Sequence, residues 1–549
     1  MKRNSCIIIL LALTLMLGAC SGGSGGESAS MPASSGVDSA APEQALSEAE
    51  PQYSPDAQAE SAEYHDEEFP AASDNAADAA EDYARQPYDA DSESYLTINE
   101  NAEMLTRDES VLTFSLKVDT ASYTNMARYI QSGSLPPRDA VRTEELLNYF
   151  SYDQALNFAG EPFAIYAEVG PSPFDSGKHM AFVRVKTQDV DKKELPDSNL
   201  TFLIDTSGSM DSHDKLPLLK QAFSMLAETL DEADKVSIVT YAGSSAVLLD
   251  SVSGADTSTI LNAIQGLEAS GSTAGAKGIL TAYALAEKNL AAGGNNRVIL
   301  ATDGDFNVGV SDLDELEALV AEKRKNGVYL SVLGFGTGNI RDDIMETLST
   351  HGNGNYSYIN SASTAKKVLV DELGSNLFTV ADDVKAQIEF NPRNVKSYRL
   401  IGYEHRMLDN KDFDDDTKDA GEIGVGTDVV MLFELELESG VATRAKDAAQ
   451  SESLFEVRIR YKNPGAPNSN LLTRSAPLNS ITQGNSSDYR FACSVAAFGQ
   501  LLRISDYSGD VRIGSIIDMA KNSLGDDPNG YRLDHLVLLK QCQDLLAAL

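Results

Sequence analysis

The sequence predicts an α/β unit with a doubly wound, mainly parallel, Rossmann-like sheet, inserted into a flanking β-rich and helical platform and preceded by a disordered linker. Three observations carry this reading. Between residues 199 and 377, short apolar runs alternate with amphipathic stretches, as strands buried on both faces do when helices cover them. On either side of that unit, apolar and polar residues alternate at period two, the pattern of half-buried antiparallel strands. From residue 20 to about 110 the chain is a mixture of Ala, Ser, Asp, Glu and Pro with few large apolar side chains, so it has little to bury.

Length and charge bound the rest. A chain of 549 residues exceeds one ordinary domain, and 42% hydrophobic residues suffice for true cores. The formal charge of −39 repels nucleic acid and anionic lipid, which argues against a DNA- or RNA-binding role. Nearly half of that excess lies between Ser21 and Glu100, where nineteen acids face one base, Arg85.

Residues 1–19 read as a processing signal. Lys2 and Arg3 precede an apolar run, Cys6 to Leu17, too short to span a bilayer comfortably. Leu17-Gly18-Ala19-Cys20 follows and resembles the lipobox of bacterial lipoproteins. The resemblance implies cleavage before Cys20 and acylation of its thiol, and several acyl chains would anchor the protein stably to a membrane. The expected location is the extracytoplasmic side of a bacterial membrane, the outer one if the cell has two. The linker that follows, residues 20–110, would span on the order of 50 Å as a random coil and would hold the folded part off the membrane. Tyrosines 53, 64, 83, 88 and 95 are scattered through it without pattern.

In the first flank, residues 111–198, Phe114 to Val118 alternates as a strand and Tyr123 to Gln131 reads as a helix ended by Gly133 and Pro136-Pro137. A second helix is expected over Asp139 to Phe150, then strands over Phe163 to Val169 and His179 to Thr187. In the α/β unit the strands expected are Leu200 to Ile204, Lys235 to Tyr241, Ala246 to Asp250, Arg297 to Thr302, Val328 to Gly334 and Tyr356 to Ile359. Helices are expected between them, the last a single one over Ala362 to Leu373. In residues 378–549, strands over Val384 to Phe390, Val395 to Gly402, Asp428 to Leu437 and Leu454 to Tyr461 precede a helical end. The two flanks are expected to pack into one platform. Cys493 and Cys542 remain once Cys6 and Cys20 are set aside; an exported compartment permits a disulfide between them, and buried free thiols fit their apolar patterns equally.

Open α/β sheets bind ligands at the carboxyl ends of their strands. Three loops leave that edge carrying oxygen-bearing residues: Asp205-Thr206-Ser207-Gly208-Ser209, Gly271-Ser272-Thr273 and Asp303-Gly304-Asp305. Two carboxylates, Asp205 and Asp303, with the hydroxyls of Ser207, Ser209 and Thr273 form an all-oxygen set, suited to Mg²⁺ or Mn²⁺ and poorly to zinc. This arrangement resembles the metal-ion-dependent adhesion site of von Willebrand factor A and integrin inserted domains, Asp-x-Ser-x-Ser followed by a threonine and an aspartate. The resemblance implies that Ser207, Ser209 and Thr273 offer hydroxyls to the metal and that Asp205 and Asp303 bind it directly or through water.

Neutral hydroxyls would leave a divalent cation under-neutralised and with an open coordination position, which an Asp or Glu side chain of a protein partner would fill. The expected function is therefore metal-dependent protein binding rather than catalysis. No Gly-rich phosphate loop with lysine and no Gly-x-Ser-x-Gly elbow is present, so a Mg²⁺-dependent hydrolase is a distant alternative. The nearer alternative is an assembly subunit of an envelope complex, contacting its neighbours through the platform. The resemblance also implies a switch, since in some relatives the last helix of the domain shifts with metal coordination.

The flanks carry a wider resemblance. Val118-Asp119-Thr120-Ala121-Ser122-Tyr123, Leu135-Pro136-Pro137, Arg142 to Phe150, Asp419 to Gly424 and Phe498-Gly499-Gln500-Leu501-Leu502 are similar to a bacterial family of von Willebrand factor A lipoproteins. Asp412 to Asp416 reads as a solvated acidic turn, because the glycine and distal glutamate of a calcium loop are missing. His213 reads as loop polarity near the candidate site.

Overall fold

The computed structural model describes residues 93–272, 275–304, 313–445, 452–482 and 484–548. The signal, Cys20, most of the linker and Thr273 lie outside the described residues. Order begins earlier than the sequence pattern suggested. Residues 93–110, expected in the linker, are part of the folded body: Ser94 bridges Arg341, Ile98 and Thr106 are buried, and β1 (Met104–Leu105) pairs with a strand of the second flank. Their polar character misled, because they dock largely through polar side chains and backbone: Glu93 pairs with Arg128, Ser94 Oγ donates to Asp343, and Asn101 donates to the Gly402 carbonyl.

In the first flank, β2 (Val111–Ser115) leads to α1 (Ala121–Gln131) and α2 (Thr143–Asn148), then to the hairpin β3 (Phe163–Pro171) and β4 (His179–Thr187). The helix expected over Asp139 to Phe150 is broken into a 3₁₀ turn, Arg138–Ala140, and the short α2. Asp139 is spent on the Ile98 N–H at 3.0 Å, and Ser122 Oγ caps the break by accepting from Arg142 N at 2.8 Å.

The α/β unit runs β5 (Ser198–Asp205), α3 (Leu216–Ala227), β6 (Lys235–Tyr241), β7 (Ser245–Ser253), α4 (Thr257–Gln265), α5 (Gly275–Lys288), β8 (Asn295–Thr302), α6 (Leu313–Lys325), β9 (Tyr329–Phe335), α7 (Asp342–His351), β10 (Tyr356–Ile359), α8 (Ala362–Lys366) and α9 (Leu373–Leu377). Its sheet has the order β10-β9-β8-β5-β6-β7, parallel throughout except for β7. Period-two alternation sends Leu200, Phe202 and Ile204 of β5 toward α3, α4 and α8, while Leu203 packs with α5, α6 and α7. The single last helix expected over Ala362 to Leu373 is instead α8, a π turn at Lys367–Asp371, and α9. The Lys367 side chain is buried there, its ammonium 4.6 Å from the centre of the Tyr149 ring and 4.3 Å from that of Tyr531.

The second flank adds β11 (Thr379–Phe390), β12 (Val395–Ile401), β13 (Met407–Leu408), β14 (Gly421–Gly424), β15 (Asp428–Leu437), α10 (Val441–Arg444), β16 (Ser453–Lys462), β17 (Ser469–Pro477), α11 (Ser487–Leu502), α12 (Ile513–Lys521) and α13 (Tyr531–Ala548). Both flanks contribute to both platform sheets, ordered β1-β12-β15-β4-β3 and β13-β2-β11-β16-β17. Their inner faces share one core, including Phe114, Phe163, Val183, Ile388, Phe433 and Phe455, so the platform is a sandwich. The outer face of the first sheet, through Phe182 and Leu432, packs with α1, α2 and the C-terminal helices.

Cys493 and Cys542 lie in that helical layer as free, buried thiols, which settles the two readings against a disulfide. The acidic turn is structural: the carbonyls of Asp412 and Asp415 accept from Lys385, and that of Asp416 accepts from Lys462. Among the described residues, no helix is long and apolar enough to cross a membrane.

Candidate metal centre

The strand order reverses between β5 and β8, so the loops leaving these adjacent strands diverge and open a crevice. Asp205 ends β5, and Asp303 follows β8 directly. Both are fully buried, and Ser207 is 1% exposed. Ser207 N donates to Asp205 Oδ1 at 2.8 Å, turning the loop over the carboxylate, and the hydroxyls of Ser207 and Ser209 lie 2.9 Å apart. Thr302 Oγ1 donates to Asp205 Oδ2 at 3.3 Å, which ties the two strand ends together.

Glycines allow the loops to meet. Gly208 N donates to Gly271 O at 3.0 Å, and Gly271 takes a φ of +82°, so the first two loops pair through backbone. Gly304 has a φ of +96°, and a Cβ there would lie 2.5 Å from Arg341 N, so only glycine lets the loop of residues 336–341 close against the site.

Burial pushes the Asp205 carboxyl up to about 6, with Asp303 adding to the rise and the Ser207 hydrogen bonds opposing it. Burial acts on Asp303 in the same sense. There the Lys215 charge and hydrogen bonds from Lys215, Asn339 and Ser209 prevail and hold it below the usual carboxylate range.

Of the five predicted site residues, Asp205, Ser207, Ser209 and Asp303 converge on one crevice, and Thr273 lies outside the described residues. Among the described residues no three His, Cys, Asp or Glu side chains gather as a metal site. That is consistent with a donor set of two carboxylates and hydroxyls, which fits a hard divalent cation. His213 is exposed on the same loop.

Sequence reasoning missed Lys215 and Asn339. Lys215 Nζ lies 2.9 Å from Asp303 Oδ2 and donates to Asn339 Oδ1 at 3.0 Å. It missed Glu93 as well, which accepts from Gly338 N at 3.1 Å and from Arg128 and Tyr129, and so fixes the 336–341 loop from outside. No local spacing marks these residues, because their partners are distant in sequence.

The doubly wound sheet, with carboxylates and hydroxyls gathered at its switch point, is matched over residues 199–372 by the model of the von Willebrand factor type A domain, so the chain is a type A domain protein. A second model, described as von Willebrand factor, matches residues 89–182, and one described as the C-terminal part of uncharacterized protein YfbK matches residues 375–545. The chain is 42% identical over 463 residues to uncharacterized protein YfbK of Escherichia coli (strain K12), covering 81% of this chain and 80% of that one. It belongs to the YfbK family. It is also 26% identical over 335 residues to uncharacterized protein sll0103 of Synechocystis sp., covering 59% and 74%.

Among solved structures, a von Willebrand factor type A protein from Catenulispora acidiphila is similar at a TM-score of 0.39 and 15% identity, covering 69% of this chain and 89% of that one. The ArnB paralog VWA2 from Sulfolobus acidocaldarius gives 0.36 and 15%, covering 70% and 98%. The type A domain points to a protein-interaction module rather than to a known enzyme.

Proposed function

We propose that the protein is a membrane-anchored interaction module that captures a carboxylate of a protein partner through Mg²⁺, with Mn²⁺ as a substitute. The observation that carries this is the convergence of Asp205 and Asp303, both buried, with the paired hydroxyls of Ser207 and Ser209 at the sheet's switch point. Asp205, Ser207, Ser209 and Asp303, with Thr273, would hold the cation. When bound, it supplies a coordination position for an Asp or Glu of the partner. The residues of the chain do the rest. Ser207 N and Thr302 Oγ1 orient the Asp205 carboxylate, and the 336–341 loop, held by Glu93 at Gly338 and by Lys215 at Asn339, sets the rim.

The same reading places the chain on the extracytoplasmic side of a bacterial membrane through a lipid on Cys20. Crosslinking in intact cells, comparing wild type with Asp205→Ala and Asp303→Ala with and without EDTA, tests the metal reading. Loss of the same crosslinked partner in all three conditions is expected. A partner retained in all of them would move the contact to the platform. Radiolabelled fatty acid incorporated by wild type and not by Cys20→Ala is the expected result for the anchor.

A further inference from the structure

Lys215 sits where a metal site would not be expected to hold a second cation. It is the N-cap residue of α3, and its side chain is 9% exposed. The ammonium contacts Asp303 at 2.9 Å and Asn339 at 3.0 Å. The aliphatic stem lies flat on the backbone of Gly336, where φ is +77° and any Cβ would collide with the stem. The stem is therefore held by a glycine that has no room for a side chain, and the charge is aimed at one predicted metal ligand. This is a built position rather than a lysine that strayed inward, since an unpaired buried ammonium would be strongly disfavoured.

We propose that Lys215 is a built-in counter-cation that shares Asp303 with the metal, weakening metal binding and leaving the loaded site more attractive to an anionic partner. The inference rests on the metal reading above. The charge count gives its direction. Asp205 and Asp303 together carry two formal negative charges, and Lys215 cancels one. A divalent cation then leaves the site one unit charge more positive than it would be without Lys215. In a buried crevice the screening is weak, so one unit charge a few ångströms from the metal lowers its affinity and strengthens the pull on a carboxylate. Asp303 is thus held in part by a tethered cation, and Lys215 sets both how readily the metal is lost and how selectively the loaded rim takes an acid.

The test is Mn²⁺ titration of the purified full chain by calorimetry and electron paramagnetic resonance, for wild type, Lys215→Met, Lys215→Arg and Asp205→Ala, with circular dichroism confirming folding. Lys215→Met is expected to bind Mn²⁺ about tenfold tighter or more, Lys215→Arg to stay near wild type, and Asp205→Ala to lose binding. Acetate titrated against the Mn²⁺-loaded proteins is expected to bind wild type more tightly than Lys215→Met. If wild type binds Mn²⁺ through Asp205 while Lys215→Met binds it equally or more weakly, the inference fails and the metal reading stands. If wild type shows no saturable, Asp205-dependent binding, the metal reading fails and takes the inference with it. Should Lys215→Met not fold, Lys215→Gln serves in its place under the same criteria.

Discussion

Arg142 Nη1 lies 2.6 Å from Asp342 Oδ2, joining the first flank to α7 of the type A domain across 200 residues of sequence. The same guanidinium pairs with Glu145, and Glu346 of α7 pairs with Arg406, which also bonds Asp119 at 3.0 Å. All these groups are nearly free of solvent. The platform therefore grips the α/β unit through a buried charge network as well as through apolar contacts, Phe378 and Val425 packing into the core of the unit. Asp119 also accepts from Tyr356 N at 2.7 Å, and Thr124 Oγ1 donates to Tyr358 O, so the flank covers the β10 edge of the sheet.

Removing one member leaves its partners charged, buried and uncompensated. Arg142→Met is expected to destabilise the folded chain by about 3–5 kcal/mol, read as a lowered urea midpoint. A second change, Asp342→Leu, should recover part of that loss, because it removes one of the buried carboxylates that Arg142 had paired and leaves Glu145 as the other. A double variant as unstable as Arg142→Met would contradict the pairing.

Glu93 should govern the order of the site's rim. Its carboxylate is gripped by Arg128 and the Tyr95 and Tyr129 hydroxyls while accepting from Gly338 N, and Ser94 N donates to Ile340 O at 2.9 Å. Glu93→Ala removes the side-chain acceptor of the Gly338 amide. Hydrogen exchange at residues 336–341 is expected to accelerate by about tenfold, the loss of one charge-assisted bond of about 1.5 kcal/mol. Exchange in the platform strands should stay unchanged.

The contrast between these residues and the metal loop shows what the sequence discloses. Asp205, Ser207 and Ser209 are alternate residues on one loop, so spacing alone put them on one side of a turn. The parallel sheet was legible for a similar reason, since strands buried on both faces write their period locally. Lys215 meets Asp303 from 88 residues away, and Glu93 meets Gly338 from 245. Nothing in an acid-rich stretch marks Glu93 and Glu100 as acids that dock. The π turn escaped too, because Lys367 looks like a solvent-facing helix residue until Tyr149 and Tyr531 are folded around it.

The two thiols should be inert in the native protein. Burial pushes both Cys493 and Cys542 up to about 12, so neither carries appreciable thiolate near neutrality. A thiol reagent such as 5,5′-dithiobis(2-nitrobenzoate) is expected to react with neither until denaturant unfolds the chain. Reducing agent should leave the melting temperature unchanged, and a drop of several degrees would restore the disulfide.

His535 makes the pH dependence of stability specific to one side chain. It is fully buried among Tyr123, Phe150, Phe491 and Phe498, with Nδ1 3.2 Å from the Tyr123 hydroxyl and no hydrogen-bond partner for Nε2. Burial holds the ring neutral, down to about 3, against about 6.5 in the unfolded chain. Because the folded value is depressed, the unfolded state binds the extra proton. The contribution to stability is whole above pH 6.5 and is lost as pH falls toward 3, at up to about 1.4 kcal/mol per pH unit. His535→Gln lacks that titration. Its unfolding free energy, measured by urea at intervals from pH 7 to pH 4.5, is expected to fall less steeply than wild type, the two curves converging by about 2.7 kcal/mol over that range. Parallel curves would mean that the ring is protonated inside the fold, with a solvent path to Nε2 that the aromatic cage does not show.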